Sequence, residues 1–377
     1  MARRDVDARA RAFVLNLIDA AGITLDGPGP GDIRIHDERF YPRVIRDREL
    51  GLGEAYQEGW WSADRVDVTL AAVLAADLKA RVRVGPRMLL LLAQSSLANR
   101  QNIRRASGNA SYHYDIGNDL FERMLDKRMI YSCAYWADAL DLGEAQEAKL
   151  DLVCRKLYLE PGMRVLDIGC GWGGFAQFAA ERYGVKVTGI TPAAAQVEVA
   201  RQRCAGLDVE ILQTDFRRVR GEYDRVVSIG MLEHVGPKNF QAYFDATHRL
   251  LTRDGLALCH TIGSNSTRNH TDPWFDRYIF PGGVVPSLEH IGRASLEQWA
   301  VEDLHNFGPD YDRTLMTWLA NVEQAWDELP GYDETFRRTW RYYLSASAAS
   351  FRVRRLQLWQ LVFSKAGVAS PTYAAVR

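Results

Sequence analysis

Val165-Leu-Asp-Ile-Gly-Cys-Gly-Trp-Gly-Gly174 decides the fold of this 377-residue chain. A short apolar run passes into a glycine cluster and then into Phe175-Ala-Gln-Phe-Ala-Ala-Glu181, which reads as strand, tight turn and helix. Gly169 and Gly171 allow a sharp turn and a close approach of backbone to a ligand, and Asp167 stands where the strand ends. Turns of this kind occur in doubly wound α/β sheets, whose ligands bind beyond the carboxyl ends of the strands.

The next strand narrows the choice of ligand. A dinucleotide site calls for an acidic residue about 20 positions on, at the tip of the following strand, to hold ribose hydroxyls. Here that strand is Lys186-Val-Thr-Gly-Ile190 and its tip is Thr191. With a second polar tip at Gln213-Thr-Asp215, the pattern D-x-G-x-G-x-G resembles a class I S-adenosylmethionine methyltransferase. Strands are expected at 163–168, 186–190, 208–213, 223–229, 255–262, around 299–305 and at 356–363, with helices between the earlier pairs. That pattern gives a doubly wound, seven-stranded, Rossmann-like sheet, with a helical insertion across 312–355 before the last strand.

Composition sets the outer limits. Apolar residues make up 47% of the chain, ample for a packed core, and the length suggests a principal domain with a smaller one. A formal net charge of -1 argues against a general nucleic-acid binder. The five cysteines, at 133, 154, 170, 204 and 259, are odd in number and lack C-x-x-C spacing. A reduced cytoplasmic setting, with no structural zinc or other metal, is the expectation. The longest apolar run, Met88-Leu-Leu-Leu-Leu-Ala93, is far short of a membrane span, so any membrane contact should be peripheral.

Three regions follow from the N-terminus. Residues 1–83 read as a small, mainly helical domain, with an amphipathic helix at 6–22, a Gly27-Pro-Gly-Pro-Gly31 turn, Trp60 and Trp61 in the core, and a helix at 67–80. Residues 84–107 read as a basic amphipathic linker. From Lys79 to Arg105 the chain carries Arg81, Arg83, Arg87, Arg100 and Arg104 with no acidic residue. Such a segment suits anionic headgroups and an acyl boundary, or else docks its leucines on the protein. Residues 108–377 read as the catalytic domain. Within it, Asp272-Pro-Trp-Phe-Asp-Arg-Tyr-Ile-Phe-Pro-Gly-Gly283 suggests a lid, and the tail 368–377 is expected to be disordered.

By the carboxyl-end rule, Glu233, His234 and His260 fall at strand tips beside the glycine turn. Adjacent tips bearing a carboxylate and an imidazole, with Cys133 in an aromatic segment upstream, point to chemistry more than to packing. Each residue also has a plainer reading. Cys133 alone suits a small buried hydrophobe, Asp215 a helix N-cap, and Glu302 a solvated strand charge.

The resemblance can now be narrowed. His113-Tyr-Asp-Ile-Gly-Asn118, Tyr131-Ser-Cys133, the glycine turn, Glu233-His-Val-Gly-Pro-Lys238, His260-Thr-Ile-Gly263, Tyr278-Ile-Phe-Pro281, His305-Asn-Phe-Gly308 and Asp310-Tyr-Asp312 occur in one order along nearly the whole chain. Together they resemble the cyclopropane-fatty-acyl-phospholipid synthase family. The resemblance implies transfer of a methylene group from S-adenosylmethionine to a cis double bond of an unsaturated phospholipid acyl chain. It also implies a homodimer working at the bilayer surface on the inner face of the membrane.

The site residues come from the same resemblance. Bicarbonate is the expected base, on Cys133, Glu233, His260, the backbone at Ile262, and Tyr311, with Glu302 placing Tyr311 or the lid. Tyr131, Ser132, Gly169, Gly171, Gly173, Thr191, Gln196, Asp215 and Phe216 are the expected cofactor contacts. Tyr278, Phe280 or Tyr311 could ease a positive charge through their ring faces. Two other readings compete: a methyltransferase of the same fold acting on nitrogen or leaving a branched methyl or alcohol, and a membrane-binding protein that holds S-adenosylmethionine without chemistry.

Overall fold

The computed structural model describes residues 2–77, 117–368 and 373–377. The expected linker 84–107, the basic positions from 79 to 105 and residues 113–116 lie outside the described residues. The structure divides into two compact units. One takes in described residues up to 77 together with Thr271–Pro281 and Leu315–Arg355; the other takes in described residues from 117 to His270, Gly282–Thr314 and Leu356–Arg377. Packing therefore groups the lid-like stretch and the late helices with the N-terminal residues, where chain order had put them with the catalytic domain.

In the second unit seven strands form one sheet: β3 (Arg164–Ile168), β4 (Lys186–Thr191), β5 (Val209–Gln213), β6 (Tyr223–Ile229), β7 (Leu251–Ser264), β8 (Trp299–Asn306) and β9 (Leu356–Lys365), in the spatial order β5-β4-β3-β6-β7-β9-β8. The first five are parallel, and β9 inserts antiparallel between β7 and β8. Strand order reverses between β3 and β6, which creates a crevice at their carboxyl ends.

Both faces of the sheet are covered, and the central strands accordingly read as continuous apolar runs. Leu166, Ile168, Phe240, Phe244 and Trp359 belong to one buried cluster, and Val165, Phe175, Leu150, Val153 and Leu258 to the other. Helix α5 (Leu142–Lys156) starts where Asp141 accepts a hydrogen bond from the Glu144 backbone N–H, and α6 (Gly174–Tyr183) and α7 (Ala194–Arg203) follow β3 and β4. All five cysteines are buried and free.

The tail corrects an expectation. Arg377 forks onto Asp303 at 2.6 and 2.7 Å, Asp303 also meets Lys156 Nζ at 3.1 Å, and Tyr373 packs on Tyr158 with ring centroids 5.2 Å apart. Residues 373–377 thus answer a buried carboxylate and an exposed ring, which a count of polar and small residues could not foresee.

The first unit is built from α1 (Ala2–Ala20), α2 (Phe40–Gln57), α3 (Val66–Ala75), a two-residue pair of strands β1 (Arg34–Ile35) and β2 (Trp61–Ser62), α9 (Pro273–Tyr278) and α12 (Glu334–Arg352). Trp61 and Trp274 are buried, and Trp274 and Tyr56 each pack against Tyr342. A Cβ on Gly53 would lie 2.4 Å from the Trp274 ring, so α2 admits that indole only because residue 53 has no side chain. The Glu54 carboxylate accepts from the Tyr278 hydroxyl at 2.9 Å and from Arg277 at 3.0 Å, and pairs with Arg43. Among the described residues no helix is long and apolar enough to cross a membrane.

Candidate active site

The turn after β3 works as its sequence implied. Gly169 has φ +87°, and its N–H and that of Cys170 both donate to the Ile190 carbonyl, which ties the turn to β4. Gly174 serves packing instead: a Cβ there would lie 2.6 Å from the Arg128 carbonyl oxygen.

A cavity opens at this end of the sheet. Of the expected cofactor residues, Tyr131, Ser132, Gly169, Gly171, Thr191, Gln196, Asp215 and Phe216 all line it. Gly173 does not. Its missing side chain leaves room for Ala200 and Cys204, which a Cβ would approach to 3.1 and 3.2 Å.

The polar groups of this cavity are held by their own neighbours. Thr191 Oγ1 donates to Gln196 Oε1 at 2.9 Å. Asp215 caps the short turn Phe216–Arg218, accepting from the Arg217 backbone N–H, and is gripped by the Arg217 guanidinium with both contacts at 2.7 Å. The N-cap reading of Asp215 is therefore realised, and the spare lone pairs of its carboxylate remain for a ligand. Sequence reasoning missed Lys149. It lines the cavity, is fully buried, and donates from Nζ to Ser132 Oγ at 2.7 Å. Burial pulls its pKa down to about 8 and pushes that of Asp167, another lining residue, up to about 7. The signal was present in the helical phase, since Lys149 falls on the same face as Ala145, Gln146, Leu152 and Val153.

Beside β6 and β7 the arrangement is different. The Ile262 backbone N–H donates to Glu233 Oε1 at 2.6 Å, while the buried Glu233 Oε2 has no hydrogen-bond partner among the described residues. Burial pushes the Glu233 carboxyl up to about 7, against the pull of the Ile262 N–H and of the nearby Thr261 hydroxyl. His260, 1% exposed, meets Gln360 Nε2 at Nδ1 over 3.3 Å, and its Nε2 is also without a partner among the described residues. An amide N–H can only donate, so the ring proton belongs on Nε2, and burial holds the imidazole neutral. The Phe307 ring stands edge-on to His260 at 5.8 Å, and Tyr135 to Phe307 at 5.3 Å.

Cys133 lies in the upstream segment, which is bonded to the start of the helix that carries Tyr311. The buried Cys133 thiol donates to the Ala134 carbonyl, and burial raises its pKa well above that of an ordinary thiol, so it is no thiolate nucleophile. Ala134 and Trp136 are pinned by the Thr314 hydroxyl and the Asp310 carboxylate. Those groups flank Tyr311 on the first turns of α11 (Pro309–Ala325). Lys149 lies within electrostatic reach of both Cys133 and His260.

Glu302 is not brought to this centre. Its carboxylate accepts from Ser364 Oγ at 2.5 Å, and Ser364 pairs with Leu256, four residues along β7 from His260. Tyr278 and Phe280 belong to the first unit, where Tyr278 binds Glu54 and Phe280 packs edge-on to Tyr343.

A parallel sheet with an antiparallel last strand, a glycine turn at the switch point and a polar cavity beyond it define an S-adenosylmethionine-dependent methyltransferase. Residues 101–361 match the family model described as mycolic acid cyclopropane synthetase. The chain is 49% identical over 350 residues to the cyclopropane-fatty-acyl-phospholipid synthase of Escherichia coli K12, an alignment that covers 93% of this chain and 92% of that one. Among solved structures it is similar to a cyclopropane synthase from Mycobacterium tuberculosis, with TM-score 0.65, 31% identity, and coverage of 69% of this chain and 98% of the other. It is also similar to a mycolic acid cyclopropane synthase complexed with SAH and CTAB, with TM-score 0.63, 33% identity, and coverage of 68% and 97%. The chain belongs to the cyclopropane synthase family of these enzymes.

Proposed function

We propose that the protein transfers a methylene unit from S-adenosylmethionine to the cis double bond of an unsaturated phospholipid acyl chain and so closes a cyclopropane ring. The observation that carries the reading is the pair of buried, open polar atoms, Glu233 Oε2 and His260 Nε2, beside the cavity at the switch point. His260 pairs in register with Ile229, which lines that cavity, and its carbonyl accepts from the Gly230 N–H. The similarity to the Escherichia coli synthase over nearly the full chain supports the substrate class.

The cavity residues fit S-adenosylmethionine, with glycine backbone for the nucleoside and Thr191, Gln196 and Asp215 as polar contacts. When bound, it supplies an activated methyl group. An alkene is a weak nucleophile, so the site must hold it in line with that methyl and keep water away from the carbocation that follows attack. Ring closure then requires loss of a proton from the new methyl group.

Bicarbonate, when bound, supplies the base for that proton. The residues fit an anion in a way the sequence left open. A carboxylate at Glu233 would repel it, but a buried Glu233 carrying a proton on Oε2 donates to it, and His260 Nε2–H donates as well. Gln360 holds the His260 tautomer, and the Ile262 N–H orients Glu233 through Oε1. The Tyr311 hydroxyl is the third donor in this reading. We extend it to a homodimer on the inner face of the membrane, with the basic segment around 79–105 meeting anionic headgroups.

Incubation with vesicles of cis-unsaturated phospholipid and labelled S-adenosylmethionine tests the reading. Lipid mass spectrometry should show a gain of one CH2 with loss of the alkene and appearance of cyclopropane proton signals. A methylated amine, a branched methyl or an alcohol as the product would reject it. Turnover should fall in carbonate-free buffer and return on adding bicarbonate, and full turnover without carbonate would remove the anion from the mechanism. Tyr311→Phe should lower turnover more than donor affinity.

A further inference from the structure

The donor cavity holds a buried ammonium to which the reaction above gives no task. Lys149 Nζ donates to Ser132 Oγ at 2.7 Å, and Ser132 lines the cavity wall next to Tyr131. An ammonium group can only donate. Ser132 Oγ therefore uses a lone pair on Lys149, and its own hydroxyl hydrogen is directed elsewhere. A positive charge behind a hydroxyl makes it a stronger donor, most of all toward an anion. Gln146 reinforces the arrangement by donating to the Ser132 carbonyl at 2.9 Å, so the loop is held at both its backbone and its side chain.

Other charged and titratable groups face Lys149 from several elements. Asp167 comes from the tip of β3 and lines the same cavity; Asp126 holds the loop by accepting from the Arg128 and Ile130 N–H groups; Cys133 and His260 are neutral. The Lys149 ammonium and the Asp167 carboxyl thus line one cavity. S-adenosylmethionine ends in an α-amino acid, a carboxylate and an ammonium one carbon apart, which is the complementary pattern.

We propose that Lys149 is a positioning residue that sets Ser132 as hydrogen-bond donor to the carboxylate of the donor's amino-acid end, with Asp167 answering its ammonium. The assignment rests on the S-adenosylmethionine reading above. It predicts that Lys149 discriminates between nucleosides that carry the amino acid and those that lack it.

Calorimetry on the full chain with two probes tests this. S-adenosylhomocysteine carries the amino-acid end, and 5′-methylthioadenosine keeps the adenosine and sulfur without it. Lys149→Met should weaken S-adenosylhomocysteine about tenfold or more and methylthioadenosine by less than about twofold. Ser132→Ala should show the same selectivity, and the double variant should lose little more than the larger single loss, since the two act in series. Equal losses on both nucleosides, no loss on either, or additive losses would overturn the assignment of Lys149. Should Lys149→Met fail to fold, the selectivity of Ser132→Ala decides in the same terms. A wild-type protein that binds neither nucleoside rejects the donor reading itself, which separates the two failures.

Discussion

The two halves of the site treat their polar groups differently. In the donor cavity Thr191 is bonded to Gln196, Asp215 to Arg217 and Ser132 to Lys149. Beside β7, Glu233 and His260 each have one polar atom engaged and one open, both buried. Buried polar groups are ordinarily hydrogen-bonded, and leaving one open costs free energy. The first region is already bonded within itself, whereas the second leaves one buried polar atom open on each residue. Donor binding and chemistry should therefore separate on mutation.

The largest effect should come from the open pair. Glu233→Ala and His260→Ala are expected to lower turnover by about 10²–10³-fold while S-adenosylhomocysteine affinity, read by calorimetry, stays within about threefold. A parallel loss of affinity would erase the contrast.

Acidity sharpens the same point. With Glu233 raised from an ordinary 4.5 to about 7, its proton is present below that value and lost above it. Turnover should then fall by about tenfold per pH unit above a midpoint at or above pH 7, and Glu233→Gln, which keeps a donor, should flatten that limb at lower overall activity. For stability the sign is the same: the folded chain holds a proton that the unfolded chain releases between those two values, so stability attributable to Glu233 declines as pH rises through that window. Chemical denaturation of wild type and Glu233→Gln across it reads the difference.

A smaller change is expected on the donor side. Thr191→Val leaves Gln196 Oε1 without its donor and should weaken S-adenosylhomocysteine by roughly five- to tenfold with turnover at saturating donor nearly unchanged. Smallest is the tail. Arg377→Ala removes a half-exposed fork from Asp303, which keeps Lys156, and should cost about 1 kcal/mol or less in denaturant unfolding without changing either nucleoside affinity.

The sequence revealed the donor side more fully than the other. Val165 to Glu181 carries strand, turn and helix in one continuous stretch, so β3, its crevice and the turn follow from local rules. The other strands were legible from local sequence too, most as apolar runs between turn residues and β8 despite its mix of buried and exposed positions. Lys149 escaped because a lysine in a helix is read as solvated unless its phase is compared with Ala145 and Leu152. Gln360 escaped because it meets His260 only through the antiparallel register of β9, set by residues a hundred positions away. Glu302 was drawn to the site by the family resemblance, yet the register of β8 shifts between Val301 and Asp303 and its carboxylate accepts from Ser364.

Gly53 and Trp274 carry a consequence for how the chain is made. The tryptophan that fills the notch on α2, and the α12 residues Arg338 and Thr339 that bond Tyr56 and Gln57, are translated long after the helix they complete. On the ribosome the amino-terminal helices must wait, on the order of tens of seconds at ordinary elongation rates, with apolar faces uncovered. A gene fragment ending near codon 83 should accordingly yield a sticky polypeptide in want of chaperones, and the missing helices supplied in trans should rescue it.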